Sequence, residues 1–323
     1  MTERWLADDT PLRIGVSACL LGRDVRHDGG HKRDRFLTDV LGAYVEWVPV
    51  CPEVEVGMPV PRPSIRLAQQ GDALRLVEPR AGTDHTRAME GFAARRVSEL
   101  ERLELCGYVL KKDSPSCGME RVKVWHERGQ ATRNGRGLFA TALIARFGTL
   151  PVEEEGRLSD AGLRENFVER IFAYRRLRAL FRPRWTTGEL VAFHTAHKLL
   201  LLAHSEVDYR RLGRLVAEAK KLPRAELRAR YEHGFMTGLA VLASTRRHTN
   251  VLQHMLGHLR DGLDASDRAE LAGQIEDYRR GLVPLVVPLA LLRHHVRRLD
   301  VAYLRGQLYI KPHPKELMLR NHV

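Results

Sequence analysis

The sequence predicts two differently built halves. The first is an α/β domain with a mainly parallel, Rossmann-like sheet and flanking helices, and the second is an all-α domain. Two observations carry this reading. Over residues 1–150, short apolar runs alternate with amphipathic stretches, the pattern of βαβ units. From Gly188 onward, apolar residues recur at helical spacing in segment after segment. The expected division is 1–150 and 188–323. Between them, 151–187 reads as a connector that begins acidic and becomes an Arg-rich amphipathic helix.

In chain order, Ile14–Ala18, Val45–Val50, Leu74–Val77 and Tyr108–Leu110 read as short buried strands. Thr86–Leu105 and Leu138–Arg146 read as helices. Four prolines and Gly57 between Pro52 and Pro63 predict a shaped loop with no regular element. In the second half, Leu190, Phe193, His197, Leu200 and His204 share one helical face. Leu212, Leu215, Val216 and Ala219 form another, and Val251, Met255, Leu256 and Leu259 a third. Ser266 followed by Glu270 marks a helix start, and Pro284 and Pro288 precede a last helix over Leu289–Leu299.

At 44% hydrophobic and 29% charged residues the composition excludes a disordered or fibrous chain. Four cysteines in 323 residues are too few for a disulfide framework. The first ten residues lack the basic and apolar regions of a secretory signal, and the run Leu282–Leu292 is short and broken by prolines. The expectation is the reducing cytoplasm, where thiolates can serve as ligands. Charge is uneven: residues 1–150 carry 23 Lys and Arg against 20 Asp and Glu, and residues 151–323 carry 30 against 20. That excess suits a polyanionic partner such as RNA, and equally a solvated helical surface.

Cys19, Cys51 and Cys117 each follow an apolar strand-like run, where an open α/β sheet gathers its ligands. They stand 32 and 66 residues apart, so only the fold can bring them together. Three thiolates there would hold a soft metal or cluster with one position open; small buried residues at strand ends are the other reading. Cys106 opens an apolar strand and reads as structural. His254 and His258 are four apart on one helix, but no Glu follows His254 to supply the base of a zinc hydrolase. His197 and His204, on an apolar stripe, read as core residues.

The strings SACLLGRDVRHDGGHKR, CPEVEVGMPVPRPSIRL and GYVLKKDSPSCGMERVKV resemble the TudS-type thiouracil desulfidases over roughly residues 12–150. The strings FHTAHKLLLLAHS, NVLQHMLGH and YIKPHPKELMLRN resemble the YbgA-like domain. The fused arrangement is similar to the RudS-type desulfidases that remove sulfur from 4-thiouridine in tRNA. This resemblance implies a 4Fe–4S cluster on Cys19, Cys51 and Cys117, with a fourth iron open to a thiocarbonyl sulfur. It implies a non-redox exchange of C=S for C=O that releases sulfide.

Proton transfer in such a reaction needs an acid/base, and Glu53, two residues past Cys51, is the candidate. Its other reading is a loop-stabilising carboxylate. Ser114 and Ser116, either side of Pro115, can orient water or the base, or can form a turn, and Ser17 is a weaker candidate of the same kind. Arg26, Lys32, Arg33 and His31, beside Gly29 and Gly30, read as phosphate- or RNA-binding, with a basic surface turn as the alternative. Arg62, between two prolines, is placed to face substrate or cluster, and Asp28 to pair with a neighbouring Arg. In the helical half Arg210, Arg211, Lys220, Lys221, Arg246 and Arg247 are candidates for tracking an RNA backbone. Two other functions share these features: desulfuration of free thiouracil or thiolated nucleosides, and a non-catalytic iron–sulfur or zinc RNA-binding sensor, which would have no use for Glu53. A small substrate would not need the basic helical domain.

Overall fold

The computed structural model describes residues 12–127 and 129–323. These divide into two compact units, one ending at Ser159 and one running from Asp160 to Val323.

The first unit is built on β1 (Arg13–Ser17), β2 (Glu46–Val50), β5 (Gly107–Leu110) and β8 (Val152–Glu154), paired in the order β2-β1-β5-β8. Every pairing in this sheet is parallel, as the sequence predicts. Ile14, Val16, Val50, Tyr108, Val109 and Leu110 are buried, which is why these strands read as continuous apolar runs. Gly15 is required, because a Cβ there would overlap the Tyr108 ring. Helices α2 (Thr86–Arg102) and α3 (Leu138–Phe147) pack together, with Phe92 and Phe139 in ring contact and Phe139 against Tyr108.

A second sheet was not legible in full. It runs β4-β3-β6-β7, where β3 (Arg66–Gln70) and β4 (Ala73–Val77) form one hairpin, and β6 (Val122–Trp125) and β7 (Ala131–Gly135) another. Of these only β4 is a predicted strand; β6 is short, with Val122 and Val124 buried, and β7 lies on the surface with polar side chains. Two local expectations are corrected. Pro52–Pro63 does contain a regular element, the single helical turn α1 (Pro52–Glu55), because Pro52 occupies the first helical position, where its missing N–H costs nothing. Helix α2 stops short of Leu105, because Glu104 turns into the left-handed region at φ 56° and frees the chain to enter β5.

The segment 151–187, expected as a connector, is shared between the units. Val152–Glu154 is a strand of the first, and most of the rest is α4 (Ala161–Leu180), whose Phe167, Ile171, Phe172 and Leu177 are buried. The second unit continues with α5 (Thr187–His204), α6 (Glu206–Ala217), α7 (Arg224–Ala240), α8 (Thr245–Leu259), α9 (Ala265–Arg279) and α10 (Val286–Arg298). Thr186 and Glu189 form a reciprocal capping box at the start of α5. Helix α9 is capped by Asp264, which accepts from Asp267 N at 2.8 Å, and not by Ser266.

The predicted face of α5 is buried in full. His204 donates from Nε2 to Glu169 (2.7 Å) and from Nδ1 to the Val241 carbonyl (2.7 Å). Arg320 donates to Glu165 (2.8 Å) and Glu169 (3.1 Å). His197 stacks on Phe193 and donates from Nδ1 to the Phe193 carbonyl at 2.8 Å. His254 and His258 are exposed on α8. Among the described residues no helix is long and apolar enough to cross a membrane.

Candidate active site

Parallel pairing puts the carboxyl ends of β1 and β2 side by side, with Ser17 opposite Val50. Cys19 lies two residues past β1, in a tight turn over Ala18–Leu21 that Gly22 ends at φ 86°. Cys51 is the first residue past β2 and caps α1. Cys117 closes a turn beyond β5 in which Ser114 Oγ accepts from Cys117 N (3.1 Å) and Ser116 N (3.3 Å). Gly137 packs against that turn, and a Cβ there would overlap the Ser116 carbonyl. All three cysteines line one cavity of about 360 Å³. Cys106 is buried outside it.

Burial pushes the Cys19 thiol up to about 11, with the neighbouring Cys51 adding to the effect. Burial also raises Cys51, and it raises Cys117 well above the ordinary thiol range. Without a cation these sulfurs keep their protons; a bound metal centre would displace them.

Glu53, one residue into α1, reaches the cavity wall. Its Oε2 accepts from Arg62 Nε (3.0 Å) and Nη2 (2.5 Å), and its Oε1 accepts from Ser116 Oγ (3.0 Å). Arg62 is nearly fully buried and also donates to the carbonyls of Val25 (3.0 Å) and Pro59 (3.2 Å), so it ties two loops to the carboxylate. The Val25 carbonyl also accepts from the Cys51 thiol at 3.8 Å. The structure thus separates the two serines: the Ser116 hydroxyl bonds Glu53, whereas the Ser114 hydroxyl takes backbone N–H groups of its own turn. Ser17 Oγ accepts from Lys111 N at 3.0 Å.

Arg26, Lys32 and Arg62 line the cavity, as does His27, which the sequence reading passed over. Arg26 shares its guanidinium with Asp28 (3.3 Å), as expected for that pair. Arg33 departs from expectation. It turns away to Asp39 (2.5 Å) and Thr38 Oγ1 (3.1 Å), and His31 Nδ1 accepts from the Arg33 N–H at 3.2 Å. Lys111 and Lys112, missed in the sequence, line it too; Lys111 is ion-paired with Glu155. A Lys-Lys pair directly after a buried strand was the available signal.

Residues 14–155 match the sequence profile described as 2-thiouracil desulfurase, and residues 198–314 that described as a protein of unknown function, DUF1722. The uncharacterized protein YbgA of Escherichia coli (strain K12) is 37% identical over 153 residues, which is 47% of this chain and 90% of that protein. The chain belongs to the YbgA-like family, with a 2-thiouracil desulfurase domain at residues 14–155. A solved structure described as a [4Fe-4S]-dependent thiouracil desulfidase, TudS, shares 35% identity across 46% of this chain and 93% of its own, with a TM-score of 0.38. The cavity bounded by Cys19, Cys51, Cys117 and Glu53 lies wholly inside the desulfurase domain.

Proposed function

We propose that this YbgA-like protein is an iron–sulfur-dependent desulfidase that converts 4-thiouridine in tRNA to uridine. One observation carries the reading: three thiols from separate loops open on the same cavity as a carboxylate fixed at both oxygens.

The donor set fits a cluster. Thiolates sharing one tetrahedral ion sit about 3.8 Å apart, since each bond is near 2.3 Å. Among the described residues no three Cys, His, Asp or Glu side chains are gathered for one ion. A cubane gives each of three cysteines its own iron and leaves the fourth iron without a protein ligand. Held by Cys19, Cys51 and Cys117, a 4Fe–4S cluster would supply one iron free of protein ligands, a soft Lewis acid for a thiocarbonyl sulfur.

The chain's own residues account for the proton transfers. Glu53 Oε1 takes a proton from the water that adds to the thiocarbonyl carbon, and returns it as the carbon–sulfur bond breaks. Arg62 holds the other oxygen, so the carboxylate cannot rotate away. Ser116 Oγ fixes the plane of the group from a fully buried position. Water and C=S become C=O and sulfide with no net electron transfer.

The helical unit supports a polyanionic substrate. Residues 160–323 hold 29 Lys and Arg against 17 Asp and Glu, an excess that a free base would not require. To offer its sulfur, the nucleotide must leave its stack, as it does for other enzymes that act on bases. The test is anaerobic incubation of reconstituted protein with bulk tRNA, followed by nucleoside analysis. Loss of 4-thiouridine with matching gain of uridine is expected. Equal or faster sulfur release from free thiouracil would overturn the tRNA assignment, and intact 4-thiouridine with a loaded, tRNA-binding protein would overturn the enzyme.

A further inference from the structure

The helical unit holds a second cavity, of about 140 Å³, walled by α4, α8, α9 and the end of α5. It shares no residue with the cysteine cavity. Leu242 and Thr245 at its rim are exposed, whereas Glu165, Asn166, Glu169, His204 and His248 at its floor are each at most 6% exposed. Glu169 has both oxygens bonded and His204 both ring nitrogens. The other three each keep one polar atom with no partner among the described residues.

Glu165 gives Oε1 to Arg320 and leaves Oε2 unbonded. Asn166 donates from Nδ2 to the Leu239 carbonyl (2.8 Å), which fixes the amide and leaves Oδ1 unbonded. His248 meets the Tyr309 hydroxyl through Nδ1 at 2.8 Å. That hydroxyl belongs to a fully buried side chain and has no other partner, so its proton goes to Nδ1. Burial holds His248 near 3, so its ring is neutral near pH 7 and carries its one proton on Nε2, without an acceptor. Unlike the unpaired ring nitrogens of His194 and His313, these three atoms are not sealed in the interior; the cavity is the space they meet.

Buried polar atoms ordinarily have partners, so two acceptors and one donor on a single pocket describe the ligand that would complete them. Its charge follows from the surroundings. Glu165 and Glu169 are balanced by Arg320 and His204, and an ion would enter as an uncompensated charge. Its size follows from the volume: a cavity of about 150 Å³ takes a molecule of about six heavy atoms, smaller than a nucleoside. We infer that this cavity binds a small uncharged primary amide, its NH2 group donating to Glu165 Oε2 and Asn166 Oδ1 and its carbonyl accepting from His248 Nε2. The inference does not rest on the desulfidase reading.

The experiment uses the full-length protein and four probes of similar size: isobutyramide, 3-methyl-2-butanone with a methyl in place of the NH2, isobutyrate and isobutylamine. Saturation-transfer NMR titrations should give isobutyramide a Kd of about 1 mM. The ketone, which cannot donate to either acceptor, should bind about tenfold more weakly or worse, and the two ions should not bind. Ala243→Leu narrows the cavity without removing a hydrogen bond, and His248→Phe removes the donor; each should weaken isobutyramide by about tenfold or more. If His248→Phe does not fold, Ala243→Leu decides alone. An ion that binds as well as the amide overturns the charge argument, and a ketone that does so overturns the amide. Unchanged binding in Ala243→Leu, or no binding of any probe, overturns the site.

Discussion

Glu53 in the desulfurase unit and Glu169 in the helical unit are both carboxylates shielded from water and held by an arginine, and they differ in what binds the second oxygen. Glu169 receives Arg320 on one side and His204 on the other. His204 donates from both ring nitrogens, so it is an imidazolium, and Glu169 faces two cations. Burial pushes Glu169 up, but His204 and Arg320 pull it down to about 2. Glu53 receives Arg62 on one oxygen and only a neutral hydroxyl on the other. A carboxylate between two cations is locked as an anion and serves structure. With one cation and one hydroxyl, Glu53 keeps one oxygen free of any charged partner beside the cavity.

The largest effect should come at the thiols. Cys19→Ala, Cys51→Ala and Cys117→Ala should each abolish the iron–sulfur chromophore after anaerobic reconstitution, while Cys106→Ala retains it. Absorbance and iron content check this, and a chromophore lost only in Cys106→Ala would dissolve the site. Next, Glu53→Gln should retain the cluster and lower kcat by about 10²–10⁴-fold, whereas Glu169→Gln should leave turnover per folded molecule unchanged. The reverse pattern would break the comparison.

Arg320→Met should destabilise the protein by about 3–5 kcal/mol in denaturant titration, because it leaves Glu165 buried without its cation and takes one of the two cations from Glu169. Smaller still is a pH effect on the helical unit. Burial holds His194 near 4, His248 near 3 and His313 near 4, and holds His197 well below its ordinary range. Their unfolded forms take up protons below about 6.5 while the folded forms do not, so stability falls as pH drops from about 6.5 toward 3 to 4. His204 runs the other way: Glu169 outweighs its burial and raises it, so its contribution is present at low pH and is lost as pH rises above 6.5. Four lowered histidines outweigh one raised, and the thermal midpoint should fall on the order of 10 °C between pH 7 and pH 4. A midpoint that rises on acidification would show that the ion cluster dominates. Ser116→Ala closes the series, with a fall of about three- to tenfold in kcat, as for the loss of one hydrogen bond to the carboxylate; Ser114→Ala should change stability alone.

Much of this was legible because it rests on local pattern. The three parallel-sheet strands other than β8, and the helical faces Leu190–His204 and Val251–Leu259, follow from apolar spacing. Strands β3, β6 and β7 were not legible: β6 is only four residues long, and a half-exposed hairpin sheet asks little of its sequence. The role of Ser116 was equally hidden: Ser114-Pro115-Ser116 is symmetric on paper, and only the turn directs one hydroxyl to Glu53 and the other to its own backbone.

The sequence by itself determined the inventory. It set two composition regimes, three strand-end cysteines, an acid two residues past one of them, and a basic surplus in the second half. Strand periodicity and residue chemistry are properties of neighbouring positions, so they survive without coordinates. Tertiary structure decided how the charges pair. Arg33 and Lys32 are adjacent and look alike, yet one is spent on Asp39 and the other is left at the cavity mouth. Coulomb and hydrogen-bond partners act over a few ångströms, and only the fold brings residues 53, 62 and 116 within that range.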